Sequence, residues 1–150
     1  MSYFPDVRLN TEHALPEMGD WRGDHYKSSD ESNSFGWLRY LFVREEGDAL
    51  LIGQAVPRDW LRPGQRCGME RTATYFGKTS VLYTGGENEI TATLDGPTRN
   101  PPKEIRLRFR EPNGRPLKSV IVNGKAWEQS EGEWVKLPGD IGKATVVARF

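Results

Sequence analysis

The sequence predicts an all-β fold: an antiparallel β-sandwich of about eight short strands, with one N-terminal α-helix packed against it. Three observations predict it. Glu104 to Arg110 (E-I-R-L-R-F-R) alternates apolar and charged residues, which means one face buried and one solvated. Asn123-Gly124 sits between two apolar runs and is the strongest short signal for a two-residue hairpin. From Leu50 onward, Gly, Pro and Asn turn residues recur at roughly 8–15-residue spacing, which suits a sandwich and not βαβ units.

Taken in order, residues 1–27 read as irregular chain, punctuated by Pro5, Pro16, Gly19 and Gly23. Ser28 as N-cap with Glu31 three residues on forms a capping box. Phe35, Leu38, Leu41 and Phe42 then follow near helical spacing. Arg44 suits a helix C-terminus and Gly47 a helix stop. Trp37 and Tyr40 make the apolar stripe wider than one-sided packing needs. The helix is therefore expected either deep against the sheet or against other helices.

Ala49 to Val56 reads as a buried strand, and Pro57 to Leu61 as one helical turn with Pro at its first position. Gly68 to Thr74 and Thr79 to Thr84 are strands separated by Tyr75 to Lys78. Gly85-Gly86 turns the chain into a strand over Glu89 to Asp95. Gly96 to Pro102 is a rigid connection without a strand. Ile105, Leu107 and Phe109 then point to the core, and Arg106, Arg108 and Arg110 form a solvent-facing basic row. A type I′ turn at Asn123-Gly124 pairs Val122 with Lys125 and Val120 with Trp127, which assigns Trp127 to the core. Trp134 to Leu137 and Ala144 to Phe150 supply the last strands.

The chain of 150 residues is expected to be a single domain. Residues 1–34 form an irregular segment and helix start, and residues 35–150 the helix plus sandwich. Formal charge balances at zero, so nothing draws the whole chain to nucleic acid or an anionic membrane. The distribution is uneven. Residues 1–34 carry seven acids and three bases, and residues 99–125 carry eight bases and two acids. Either the acidic head folds over the basic row, or the row meets an anionic partner; charge runs are usually solvated faces.

The one cysteine, Cys67, excludes an internal disulfide and a multi-cysteine metal site. It is expected as a small buried or edge residue and not as a nucleophile. The start, M-S-Y-F-P-D-V-R, has no apolar signal-peptide core. No apolar run approaches the roughly 20 residues of a membrane span. A soluble chain is expected, with its compartment open.

Catalytic material is sparse. The two histidines, His13 and His25, are too few for a multi-His metal site and poorly placed for a triad, so no metal or cofactor is expected. No G-x-S-x-G, P-loop or G-x-G-x-x-G occurs. Asp24, Asp30 and Glu31 cluster beside His25, and paired carboxylates are how glycosidases work. Asp30 and Glu31 are equally explained as helix N-terminal acids. Exposed Trp and Tyr rings offer stacking faces for sugars. With Trp127 in the core and Trp37 and Trp60 packed on helical segments, the candidate platform residues are Trp134, Tyr83 and Tyr75, with Trp21 in the head.

Three runs carry a family resemblance. They are L-F-V-R-E-E-G-D-A-L-L-I-G-Q-A-V-P-R-D-W-L, R-T-A-T-Y-F-G, and I-R-L-R-F-R-E-P-N-G-R-P-L-K-S-V-I-V-N-G-K-A-W. From Phe35 on, the chain resembles the C-terminal β-sandwich tail domain of large bacterial glycoside-hydrolase-like proteins, in which an α/α toroid precedes the sandwich. The V-N-G-K-x-W motif is shared among tail domains of several glycosidase families. The resemblance implies that Ser28 to Glu46 is a last toroid helix and that Asp24 and His25 are remnant cleft-lining residues. It also implies that catalysis belongs to a toroid outside this chain.

The expected function is a non-catalytic accessory domain, structural or carbohydrate-contacting. One alternative is a free-standing carbohydrate-binding module with an aromatic surface site. A second is a small glycosidase using Asp24, His25 and Glu31. Expected partners are an oligo- or polysaccharide, and either a parent catalytic domain or a second copy met through the helix.

Overall fold

A computed structural model describes the backbone from Ser28 and the side chains from Ser34 to Phe150. The irregular head and the side chains of the Ser28–Glu31 capping box lie outside the described residues. The chain divides between Leu38 and Arg39. A helix, α1 (Ser28–Phe42), crosses that division. Eleven strands follow: β1 (Val43–Glu46), β2 (Ala49–Ile52), β3 (Arg66–Thr74), β4 (Gly77–Gly85), β5 (Glu89–Asp95), β6 (Glu104–Arg108), β7 (Ser119–Val122), β8 (Lys125–Trp127), β9 (Ser130–Glu131), β10 (Trp134–Pro138) and β11 (Lys143–Arg149). A 3-10 turn at Arg58–Leu61 separates β2 from β3, with Pro57 just before it.

The all-β sandwich is observed. One sheet has the order β1-β2-β6-β10-β9 and the other β3-β4-β5-β11-β7-β8. Strict alternation in the strands sends Leu50, Ile52, Ile105, Leu107, Val135 and Leu137 from the first sheet into one core. Val81, Tyr83, Ile90, Ala92, Leu94, Val120, Val122, Val146 and Ala148 enter it from the second. The Asn123-Gly124 turn has positive φ at both residues, 50° and 79°, as a type I′ turn requires. It pairs Val122 with Lys125 and Val120 with Trp127. Trp127 packs against the core, and its indole Nε1 donates to the Lys136 carbonyl at 2.9 Å in the facing sheet.

Four expectations need correction. The helix ends at Phe42, not near Glu46, because Val43–Glu46 pairs antiparallel with Ala49–Ile52. Gly47, at φ +57°, therefore serves a hairpin turn and not a helix stop. The sandwich is not wholly antiparallel: β2 runs parallel to β6, since the chain between them crosses through the other sheet and returns. β2 stops at Ile52, short of Val56. Gly53 follows at φ +72°, where a Cβ would strike the Tyr83 hydroxyl. Trp37 and Trp60 are not packed away; they are 49% and 41% exposed, though Trp60 stacks on Phe42 at 6.3 Å.

Arg39, in the last turn of α1, donates to Glu45 Oε1 at 2.7 Å and to the Ala73 carbonyl at 2.9 Å. Among the described residues no helix is long and apolar enough to cross a membrane.

Candidate functional site

The period-2 alternation that buries Ile105 and Leu107 puts Arg106 and Arg108 on the outer face of the five-stranded sheet. Register decides their neighbours. Trp134 lies opposite Arg108, and Lys136 opposite Arg106. Glu131 lies opposite Trp134, and Leu51 pairs with Arg106 from the other side. These residues, with Glu46 and Gln54, line a groove of about 350 Å³. Its one aromatic wall is the Trp134 indole, and the Arg108 guanidinium lies over that ring at 5.4 Å from its centroid.

Most charges of this face are matched. Glu104 receives both Nε and Nη2 of Arg106. Lys136 Nζ meets Glu131 Oε2 at 3.0 Å. That bond and the Lys136 charge hold the Glu131 carboxyl below the usual carboxylate range.

At one end of the groove, beyond its Arg108 wall, the pattern changes. Glu133 accepts from Arg58 Nη2 and, at 2.9 Å, from Arg108 Nε. Burial pushes the Glu133 carboxyl up, but the hydrogen bonds and charges of these two arginines outweigh it and hold the group low. Arg108 Nη1 also donates to the Gln54 carbonyl at 2.8 Å, Arg58 Nη1 to the Glu111 carbonyl at 2.6 Å, and Arg110 Nη1 to the Val56 carbonyl at 3.0 Å.

The structure separates the residues expected to act together. Trp134 is in the groove. Tyr83 is a correction: it is fully buried, its hydroxyl 3.4 Å from the Ile52 carbonyl. It cannot be a surface platform, because its position on β4 points inward. Burial pushes its hydroxyl pKa far up. Tyr75 is 84% exposed but sits in the β3–β4 turn, outside the groove, with its backbone N–H directed to Glu45. Trp21, Asp24 and His25 lie outside the described residues, as does the Glu31 side chain.

Arg106 and Arg108 share the outer face as expected. The row is not free, however; each of its arginines is half-buried and hydrogen-bonded. Cys67 is on β3, the edge strand of its sheet, and is partly buried. Burial raises its thiol pKa, the reverse of what a nucleophile needs.

Sequence reasoning missed Gln54, Arg58, Glu131, Glu133 and Lys136. For the last three a signal existed: Glu131, Glu133 and Lys136 flank Trp134 closely in the chain. Among the described residues, no group of three His, Cys, Asp or Glu is placed to hold a metal ion. No protein-family model matches the chain, and no curated protein matches it.

Proposed function

We propose that this chain is a non-catalytic accessory domain of a glycoside-hydrolase-type protein and that it contacts carbohydrate through the outer groove of the five-stranded sheet. The observation that carries this reading is the Trp134 indole standing in a groove otherwise rimmed by hydrogen-bonding side chains. A pyranose offers C–H groups to a π face and hydroxyls to the groups around it. The Arg108 guanidinium lies over the indole in the same groove. Gln54, Glu46 and Lys136 are within the same groove to meet hydroxyls.

Electrophoresis through gels containing soluble polysaccharides tests the reading. Retardation by at least one polysaccharide is expected. Trp134→Ala is expected to weaken it about two- to tenfold, with an unchanged thermal melt, since aromatic contacts contribute roughly 0.5–1.5 kcal/mol. Retardation that survives Trp134→Ala intact would put the sugar elsewhere.

A second, structural reading is favoured by a different observation. Phe35, Trp37, Leu38 and Tyr40 are all exposed on α1, and exposed apolar surface favours association. Sedimentation velocity is expected to show self-association that rises with concentration. A monodisperse monomer at high concentration would sink this second reading.

A further inference from the structure

Six basic groups lie along or beside the Trp134 groove, three of which (Arg106, Arg108 and Lys136) line it, and four acids answer the six. Arg44 pairs with Glu46, Arg106 with Glu104 and Lys136 with Glu131. Arg58, Arg108 and Arg110 are left with Glu133 alone, which binds only the first two directly. This end of the groove thus carries three guanidinium groups against one carboxylate, an excess of two positive charges.

We propose that the groove selects anionic saccharides, with a carboxylate or ester sulfate of the sugar seated against Arg108 at the Arg58–Glu133–Arg110 end. The inference rests on the carbohydrate reading and names the class of sugar. Arg108 is the pivot because it does two things. Its guanidinium lies over the indole and lines the same groove. Its Nε and Nη1 are held by Glu133 and Gln54, while its Nη2 has no protein acceptor among the described residues. Arg108 and Trp134 line the same groove, so an acidic substituent of a sugar bound there has a guanidinium N–H to meet. Guanidinium is the side chain best matched to carboxylate and sulfate geometry.

Arg110 adds charge without adding a competing partner. It makes one hydrogen bond, to a neutral carbonyl, and its buried Nε has no acceptor. Burial, then Arg108, then Arg58 weaken its hold on its proton, and Glu133 opposes them. These groups are half-buried, where charge is screened less than at an open surface. The neutralised pairs elsewhere on this face explain why only one end would favour an anion.

Calorimetric titration with three hexasaccharides tests this: oligogalacturonate, whose anions are all carboxylates, a carrageenan-derived hexamer, whose anions are all ester sulfates, and neutral cellohexaose. At low salt, one or both anionic hexamers are expected to bind about tenfold or more tighter than the neutral one, with the gap narrowing at about 0.15 M salt. Whichever anionic hexamer binds tighter identifies the acidic group. Glu133→Gln keeps one acceptor oxygen, for either Arg58 or Arg108, and removes the negative charge. It is expected to tighten anionic binding about threefold or more and leave neutral binding unchanged.

Should that variant melt early, Arg110→Gln gives the opposite arm, a loss of anionic preference with neutral binding kept. Equal affinities for all three hexamers, unmoved by these variants, would overturn the anionic preference while leaving the carbohydrate reading standing. Binding of none would overturn both. Inorganic polyphosphate binding as tightly as the sugars, and insensitive to Trp134→Ala, would make this a general polyanion patch and overturn the saccharide site.

Discussion

Phe109→Ala is expected to lower the free energy of unfolding by about 3–5 kcal/mol. Phe109 is fully buried and meets Tyr83 edge-on, with ring centroids 5.8 Å apart and planes 79° apart. It joins the two sheets at one point of the core, since Tyr83 belongs to β4 and Phe109 follows β6 directly. Its backbone N–H donates to the Glu133 carbonyl at 2.8 Å, and Arg108 and Arg110 flank it in the chain. Truncation removes transfer energy and leaves a cavity that a two-sheet interface cannot readily close.

Urea unfolding should show a lower midpoint at an unchanged slope. A loss under about 1 kcal/mol would mean that the sheets close over the gap, contrary to this packing. Tyr83→Phe is the control. Its hydroxyl makes one long contact, 3.4 Å to the Ile52 carbonyl, so the cost should stay near 1 kcal/mol.

Glu111→Ala is expected to cost about 2–3 kcal/mol, although the residue is charged and follows the basic row. Glu111 is 2% exposed. Its carboxylate accepts from the Asn113 N–H at 2.7 Å, the Arg115 N–H at 2.8 Å and Arg115 Nε at 2.8 Å. Arg115 in turn donates to Asn88 Oδ1 and to the Glu87 carbonyl, which ties the β6–β7 connection to the β4–β5 turn. Removing the carboxylate leaves two backbone donors and a guanidinium without their shared acceptor.

The same residue predicts a pH dependence. Burial pushes the Glu111 carboxyl up, but the Arg115 backbone, the Arg115 side chain and the Asn113 backbone outweigh it, so its folded pKa lies below the ordinary value. A depressed carboxylate contributes stability above the unfolded pKa of about 4.3, and that share is lost as pH falls through the folded pKa. Glu45 and Glu133 are lowered as well, so they add to the same acid loss. Stability of the natural sequence should therefore fall steeply below about pH 4. Glu111→Gln should be less stable at neutral pH and shallower in that window. Parallel curves for the two proteins would show that Glu111 titrates alike in both states.

Particular residues show what could be read from the chain alone. The alternation of Ile105, Leu107 and Phe109 with Arg106 and Arg108 was enough to bury the three apolar side chains and to put the two arginines of β6 on the opposite face. The Asn123-Gly124 dipeptide was enough to set the register of β7 on β8. The end of α1 was misread because Leu41, Phe42 and Val43 fit a helical stripe and a strand equally well over so short a run. The pairing of Val43–Glu46 with Ala49–Ile52 removed the ambiguity. Tyr83 was offered as a surface ring because nothing in T-S-V-L-Y-T states which parity faces inward.

The sequence by itself determined the all-β class, the hairpin at Asn123-Gly124, the core position of Trp127 and the basic parity of β6. Each depends on residues a few positions apart, whose preferences for turn or pleat are local. Only the tertiary structure decided which rings meet solvent and which charges meet each other. Arg58 shares the carboxylate of Glu133, 75 residues away in the chain, with Arg108. Trp134 found its arginine through the register of β10 on β6. Such groups are brought together by sheet order and parallel crossover, because charge and stacking act through space while the sequence pattern records only neighbours along the chain.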